Sequence, residues 1–302
     1  MRLVLFDDYK PGLLKGNGVV DVSEVTRRVA GRTGQETMQG IITHFDQLKA
    51  DLERALSSGR EMPLANVQLR APLPRPGKIM MMGANFREFT QGVPALPIWG
   101  FLKSPEAILD PGGTIVLPGV DFIVCHHEAE MVAVIGKQGK DIPAAQGMDY
   151  VFGYCNGIDV SPRMPLLQNT LLNKGCDTCQ PLGPCIVTKD EVPDVDRLQV
   201  RLWVNGELRQ DFPMSDIGHP LPDSIHYFSE RMSIMPGDIL SLGTNHAGLG
   251  ALQDGDTVEI EIDGLGRLTN KVSDPLKRSW PRGTDPGYAH LRLREQLLAG
   301  KA

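Results

Sequence analysis

From residue 78 onward the chain is a succession of short β-prone runs cut by turn signals, and this punctuation narrows the folds open to it. Apolar, largely β-forming runs occur at 78–82, 114–117, 129–135, 185–188, 198–204 and 258–262. Between them stand Pro111-Gly112-Gly113, Asn205-Gly206, Pro236-Gly237-Asp238 and Asp254-Gly255-Asp256, residue types that suit tight turns. Long stretches at helical spacing are few, while glycine (33) and proline (23) are plentiful among the 302 residues. The pattern predicts an all-β or β-dominated, closed architecture with few helices.

The first 70 residues read as a small leading unit. It has a strand at 2–6 and a helix over about 41–56, whose apolar face is Ile41, Phe45, Leu48, Leu52, Ala55 and Leu56. Ala71-Pro72-Leu73-Pro74-Arg75-Pro76-Gly77 is stiff and extended, so 71–77 is a natural linker. A main unit then spans 78–275 and a tail 276–302, with a short basic helix candidate at 290–298 that either packs across an oligomer interface or frays. Neither GxGxxG after a strand nor GxxxxGK[ST] occurs, so dinucleotide and P-loop folds lack support.

The net charge of −6 argues against nucleic acid and acidic membranes as partners. No run approaches a membrane span, and the start of the chain turns acidic at Asp7-Asp8, unlike a signal peptide. A soluble, cytoplasmic protein is the expectation. Five cysteines do not make a disulfide framework. Cys176-Asp177-Thr178-Cys179 has CxxC spacing but no second pair to complete a zinc site and no thioredoxin-like context. These cysteines read as ordinary reduced thiols.

The chemistry concentrates in Cys125-His126-His127-Glu128-Ala129-Glu130, at the entrance to the apolar run 131–135. In a strand, residues two apart share a face, so both glutamates, with His126 behind them, would lie on one side. Two carboxylates so close are costly unless a cation neutralises them or one is protonated. Hard oxygen ligands suit Mg²⁺, Mn²⁺ or Ca²⁺ better than zinc. Asp159, after the apolar segment 151–157, would complete a facial set with positions open to substrate. The competing reading is an edge strand whose glutamates face water.

With those residues in hand, the chain resembles the fumarylacetoacetate hydrolase family. The motifs run in that family's order: Gly83-Ala84-Asn85-Phe86, Phe101-Leu102-Lys103-Ser104, His127-Glu128-Ala129-Glu130, Val134-Ile135-Gly136-Lys137, Gly153-Tyr154 with Asp159 and Arg163, Lys174-Gly175-Cys176-Asp177-Thr178, Pro181-Leu182-Gly183-Pro184, Val204-Asn205-Gly206-Glu207, Pro236-Gly237-Asp238, Gly243-Thr244 and Leu252-Gln253-Asp254-Gly255-Asp256. The resemblance implies a mixed β-roll catalytic domain, and so a β-dominated α+β fold with a small N-terminal α+β domain. It also implies a homodimer, with Mg²⁺ or a similar ion (Mn²⁺, Ca²⁺) on Glu128, Glu130 and Asp159. Lys174 would neutralise a developing enolate. Arg163, Thr244, Asn85 and Lys103 would serve substrate binding, Arg163 gripping a carboxylate as a fork.

The chain departs from the family at one point of chemistry. Hydrolytic members carry a His-Glu dyad that activates water, and here those positions fall on Phe89 and Gly92. A glutamine common after the arginine is replaced by Leu166, with Gln168 nearby. His246 is the first candidate for a replacement base and Glu88 the second. The expected substrate is a small 2-oxo or β-diketo carboxylate, handled through a metal-chelated enolate. C–C hydrolysis of an acylpyruvate leads. Decarboxylation or isomerisation, which needs no activated water, is the alternative. A non-catalytic binding protein with a degenerate site is the reading from another class.

Overall fold

A computed structural model describes residues 1–87, 96–164 and 170–285 of the protein. Among these residues, twelve strands form one large mixed sheet and five form a second. The main path of the large sheet runs Glu61–Pro63, Gly18–Asp21, Lys10–Lys15, Arg2–Phe6, Gln180–Thr188, Val151–Ile158, Ala129–Ile135, Ile239–Ser241, Ile79–Met82, Gly100–Lys103. The β-dominated expectation holds. The closed form does not, because both sheets have free ends, so there is no closed barrel.

The run 129–135 is apolar throughout because both faces of its strand are buried. Met131, Ala133 and Ile135 enter one core with Val200, Leu202, Val258, Ile260 and Leu268 of the five-stranded sheet. Val132 and Val134 enter the other, beneath Met38, Ile41, Leu48 and Leu52 of two N-terminal helices. Strands Gln199–Val204 and Thr257–Ile262 instead alternate strictly between buried and half-buried residues, as strands with one covered face do. Each fully buried leucine or isoleucine contributes about 1.5–3 kcal/mol.

The predicted helix over 41–56 is two helices, Gly34–Thr43 and Phe45–Ser58, broken at His44. His44 leaves helical geometry with ψ of 19°, and its Nδ1 lies 3.0 Å from the Gly40 carbonyl. A capping box between Thr33 and Glu36 starts the earlier helix, whose buried Gln35 and Thr37 hide its periodicity. The leading residues join the main sheet directly, since Arg2–Phe6 pairs antiparallel with Gln180–Thr188. The run 71–77, expected as a stiff linker, packs part of its length against the body. Ala71 and Leu73 are fully buried, and the Ala71 and Arg75 N–H groups donate to Asp110 and Gln35. Residues 276–285 of the tail lie against the main body through Arg278–Asp274, Arg282–Asp256 and Trp280–Ile123 contacts. The helix candidate 290–298 lies outside the described residues. No described helix is long and apolar enough to cross a membrane.

Antiparallel pairing positions the site. Ala129 pairs with Ile158 and Val132 with Ser241, so the start of one strand meets the ends of its two neighbours. Glu130, Asp159 and Gly243-Thr244 are thereby brought to one edge. The sheet also curls strongly: three strands separate Gly100–Lys103 from Val151–Ile158, yet Lys103 reaches Asp159.

Candidate metal centre

Glu128, Glu130 and Asp159 are all buried, and each offers a carboxylate oxygen within 4.8 Å of the others. Glu130 sits in the strand Ala129–Ile135, whereas Glu128 lies in the two-residue gap after Val124–His126. The pair therefore converges through a backbone break, not through simple strand alternation. The Glu128 carbonyl accepts the Asp159 N–H at 2.9 Å, which draws the first and third carboxylates together.

The surrounding charges are distributed unevenly. Glu128 receives Lys174 Nζ at 3.0 Å, an ion pair from Arg163, and His246 Nε2 at 3.8 Å. Asp159 receives Lys174 Nζ at 2.7 Å and Lys103 Nζ at 2.8 Å. Glu130 accepts only from the Ser241 hydroxyl and, at 3.3 Å, from the Gly243 N–H, with no ion pair among the described residues. Burial would push the Glu128 carboxyl up, but Lys174, Arg163 and His246 hold it well below its ordinary range. Burial and the charges of Asp159 and Glu128 push Glu130 up to about 8. Burial works against the charge on Lys174, yet Asp159 and Glu128 keep its pKa above the ordinary value. A buried carboxylate facing two others with no cation of its own is the donor set a hard divalent ion satisfies. The residues fit such an ion.

The described residues place the other candidates as follows. Lys174, Arg163 and His246 join the carboxylates directly. Thr244 is buried beside them, and its hydroxyl accepts from Gln210 Nε2 at 2.9 Å. Asn85 is buried and spends its amide on backbone groups. Its Nδ2 donates to the His219 and Leu242 carbonyls and its Oδ1 accepts the His219 N–H, so it ties three loops together. Gly243 (φ 85°) crosses close by, and an added Cβ would come 3.1 Å from Asn85 Cβ. Lys103, expected at the substrate, spends its ammonium on the protein itself. It is wholly buried, and donates to Asp159, the Cys179 carbonyl at 2.6 Å and Gln180 at 3.1 Å. Glu88, Phe89, Gly92, Leu166 and Gln168 lie outside the described residues.

A supporting layer went unread in the sequence. Gln210 Oε1 accepts from Ala129 N at 3.1 Å and lies 3.0 Å from His127 Nδ1, so it links the glutamate strand to Thr244. His126 accepts from Arg163 Nε at Nδ1, which leaves its proton on Nε2, 3.0 Å from Asp285. Asp285 thus fixes the tautomer that lets His126 aim Arg163 at Glu128. Nothing local in the sequence signals these partners.

Two outcomes follow from this layer. Lys103→Met removes the charge that holds Asp159 from behind, and Mn²⁺ affinity by calorimetry is expected to fall about 10–100-fold. An unchanged affinity would show that Asp159 is held in place without it. Burial lowers His127 to about 3, and burial with the Arg163 charge lowers His126 to about 4. Below pH ~6.5 the unfolded chain binds protons that the folded one refuses. The stability these groups contribute is present above that pH and lost as pH falls toward about 4, by about 1.4 kcal/mol per unit for each histidine. Urea midpoints measured from neutral to acid pH should therefore decline, and a flat profile would contradict the burial argument.

Residues 78–273 match the fumarylacetoacetate (FAA) hydrolase C-terminal family. A crystal structure of maleylpyruvate hydrolase from Sphingobium sp. SYK-6, in complex with manganese(II) and pyruvate, matches with a TM-score of 0.81 and 33% identity, covering 91% of this chain and 99% of that one. Maleylpyruvate hydrolase from Aquipseudomonas alcaligenes is 29% identical over 286 residues, 89% of this chain and 98% of its own. An oxaloacetate tautomerase from Rattus norvegicus is 35% identical over 272 residues, covering 85% of this chain and 84% of that protein. The resemblance read from the motifs is borne out, and these named relatives are enzymes.

Proposed function

The chain belongs to the fumarylacetoacetate hydrolase family, and on that footing we propose that it is a divalent-metal enzyme acting on a 2-oxo carboxylate, with C–C hydrolysis of an acylpyruvate-type substrate as its reaction. The observation that carries the proposal is Glu130, a buried carboxylate beside two others with no cationic partner among the described residues. Glu128, Glu130 and Asp159 would hold Mg²⁺ or Mn²⁺. When bound, the ion would act as a Lewis acid toward the 2-oxo and carboxylate oxygens of the substrate.

This chain's own groups do the rest. Lys174 Nζ touches both Glu128 and Asp159, so its ammonium stands where negative charge grows as the 2-oxo group becomes an enolate. Arg163 is aimed by His126 onto Glu128, and its planar guanidinium is the fork we assign to steering a substrate carboxylate. Thr244, anchored by Gln210, contributes a hydroxyl at the same edge. His246, with Nε2 3.8 Å from Glu128, is the base we assign to water activation, since Phe89 and Gly92 cannot serve. The relatives named as maleylpyruvate hydrolases support hydrolysis. Tautomerisation or decarboxylation is the second reading, favoured by Phe89 and Gly92 and by the oxaloacetate tautomerase relative.

The test is a panel of acylpyruvates and oxaloacetate with chelator-stripped protein, with and without Mg²⁺ or Mn²⁺. Metal-dependent loss of the diketone with two acid products, and no CO₂, supports hydrolysis. Metal-dependent CO₂ release or keto–enol exchange would transfer the assignment to the second reading. Metal-independent turnover would overturn both.

A further inference from the structure

The CxxC run has a place in the fold that its sequence alone does not reveal. Cys176 and Cys179 are the ends of a tight turn, with Cys179 N–H donating to the Cys176 carbonyl at 3.2 Å and Thr178 at φ 64°. Such a turn brings its end Cα atoms within about 7 Å, close to the span a disulfide bridges. The neighbouring Cys179 thiol lowers Cys176 to about 7. Cys176 is half-buried while Cys179 is fully buried, so one sulfur meets solvent and the other resolves behind it.

The turn is also wired to the metal centre on both sides. Cys176 follows Lys174 by two residues, and its Sγ lies 4.0 and 3.9 Å from the Leu172 and Asn173 carbonyls at the end of the helix Thr170–Lys174. The Cys179 carbonyl accepts from Lys103 Nζ, which holds Asp159. Gly175, between Lys174 and Cys176, is fastened to the helix end by its N–H, which donates to the Leu171 carbonyl at 2.8 Å.

We propose that Cys176 and Cys179 are a peroxide-responsive thiol pair whose disulfide withdraws Lys174 from the carboxylates and lowers turnover. The Cys176 thiolate attacks a peroxide oxygen, the O–O bond breaks, and Cys176 becomes a sulfenic acid as hydroxide leaves and takes a proton. Cys179 sulfur then attacks the sulfenic sulfur, its thiol proton leaves with the hydroxyl as water, and the S–S bond forms. Two thiols are oxidised by two electrons while one hydrogen peroxide is reduced to two waters, and an added dithiol reverses the change. Closing the sulfurs to about 2.05 Å pulls Cys176 away from the helix-end carbonyls.

The test treats the Mg²⁺-loaded protein with hydrogen peroxide and then with dithiothreitol. Free thiols should fall from five to three, with a mass loss of two hydrogens per chain and a 176–179 bridge in the peptide map. Turnover should fall on the order of 10-fold or more and return on reduction. This arm rests on the function proposed above, whereas thiol count and mass do not. A further readout free of turnover is Mn²⁺ affinity, which should tighten as an ammonium leaves Glu128 and Asp159. Cys176→Ser should keep its turnover through the same treatment. Cys179→Ser should stop at a dimedone-reactive Cys176. Five thiols surviving peroxide, or a bridge formed with Mn²⁺ affinity and turnover both unchanged, would overturn the proposal.

Discussion

Glu130→Gln is expected to abolish Mn²⁺ binding and lower kcat/KM by about a thousandfold, several kcal/mol of lost metal assistance, while the metal-free protein keeps its stability. The two effects separate because Glu130 differs from its neighbours. Glu128 and Asp159 each carry ion pairs, and neutralising either strands a buried cation. Glu130 has only neutral donors, Ser241 and Gly243, which an amide still accepts through its oxygen. The sign with pH is also set. The folded pKa, about 8, lies above the ordinary 4.5, so the folded protein favours the protonated form. Metal-free wild type is then most stable, in this respect, at acid pH and loses that contribution as pH rises through about 8. The glutamine variant has no such loss. Melting temperatures of both proteins at about pH 6 and 9 in chelator decide the matter. A variant that melts well below wild type at the higher pH would refute the account of Glu130 as an unneutralised carboxylate.

Lys174→Met is the second large effect, and its signature is different. Removing one preorganised charge from a developing oxyanion costs on the order of 10²–10³ in kcat. Glu128 keeps Arg163 and Asp159 keeps Lys103, so the carboxylates remain held and Mn²⁺ should bind at least as tightly as in wild type. Steady-state kinetics on the oxo acid turned over in the panel, with metal titrations beside them, separate the cases. Retained kcat would remove Lys174 from the chemistry. Lost metal binding would make it a scaffold for the site.

How much of this was legible depended on the sequence distance between partners. Glu128, Glu130 and Asp159 stand within 31 residues in runs with recognisable patterns, and the strands beside them follow from apolar runs and turn residues. The expected geometry was less well read. Strand alternation predicted one shared face, but Glu128 leaves the strand and joins the others through its carbonyl's bond to Asp159. Asn85 and Lys103 carried motif positions that suggested substrate contact, and nothing in those motifs signalled the bonds they make to the Leu242 carbonyl and to Gln180. The supporting layer was invisible for a simple reason. Gln210 is 81 residues from Ala129, Ser241 111 from Glu130, and Asp285 159 from His126. Such polar partners leave no periodicity and meet only once the sheet has curled. The same holds for 71–77, read as a stiff linker, whose Ala71 and Arg75 N–H groups find their acceptors Asp110 and Gln35 39 and 40 residues away in the chain.

The central claim is that the three carboxylates hold a divalent ion on which a 2-oxo acid depends for binding. Calorimetric titration of Mn²⁺ into chelator-stripped protein, followed by pyruvate with and without the ion, tests it directly. The account predicts one Mn²⁺ per chain, lost in Glu130→Gln, and pyruvate binding only to the Mn²⁺-loaded protein. Pyruvate binding equally well in chelator, or Mn²⁺ binding that survives Glu130→Gln unchanged, would contradict it.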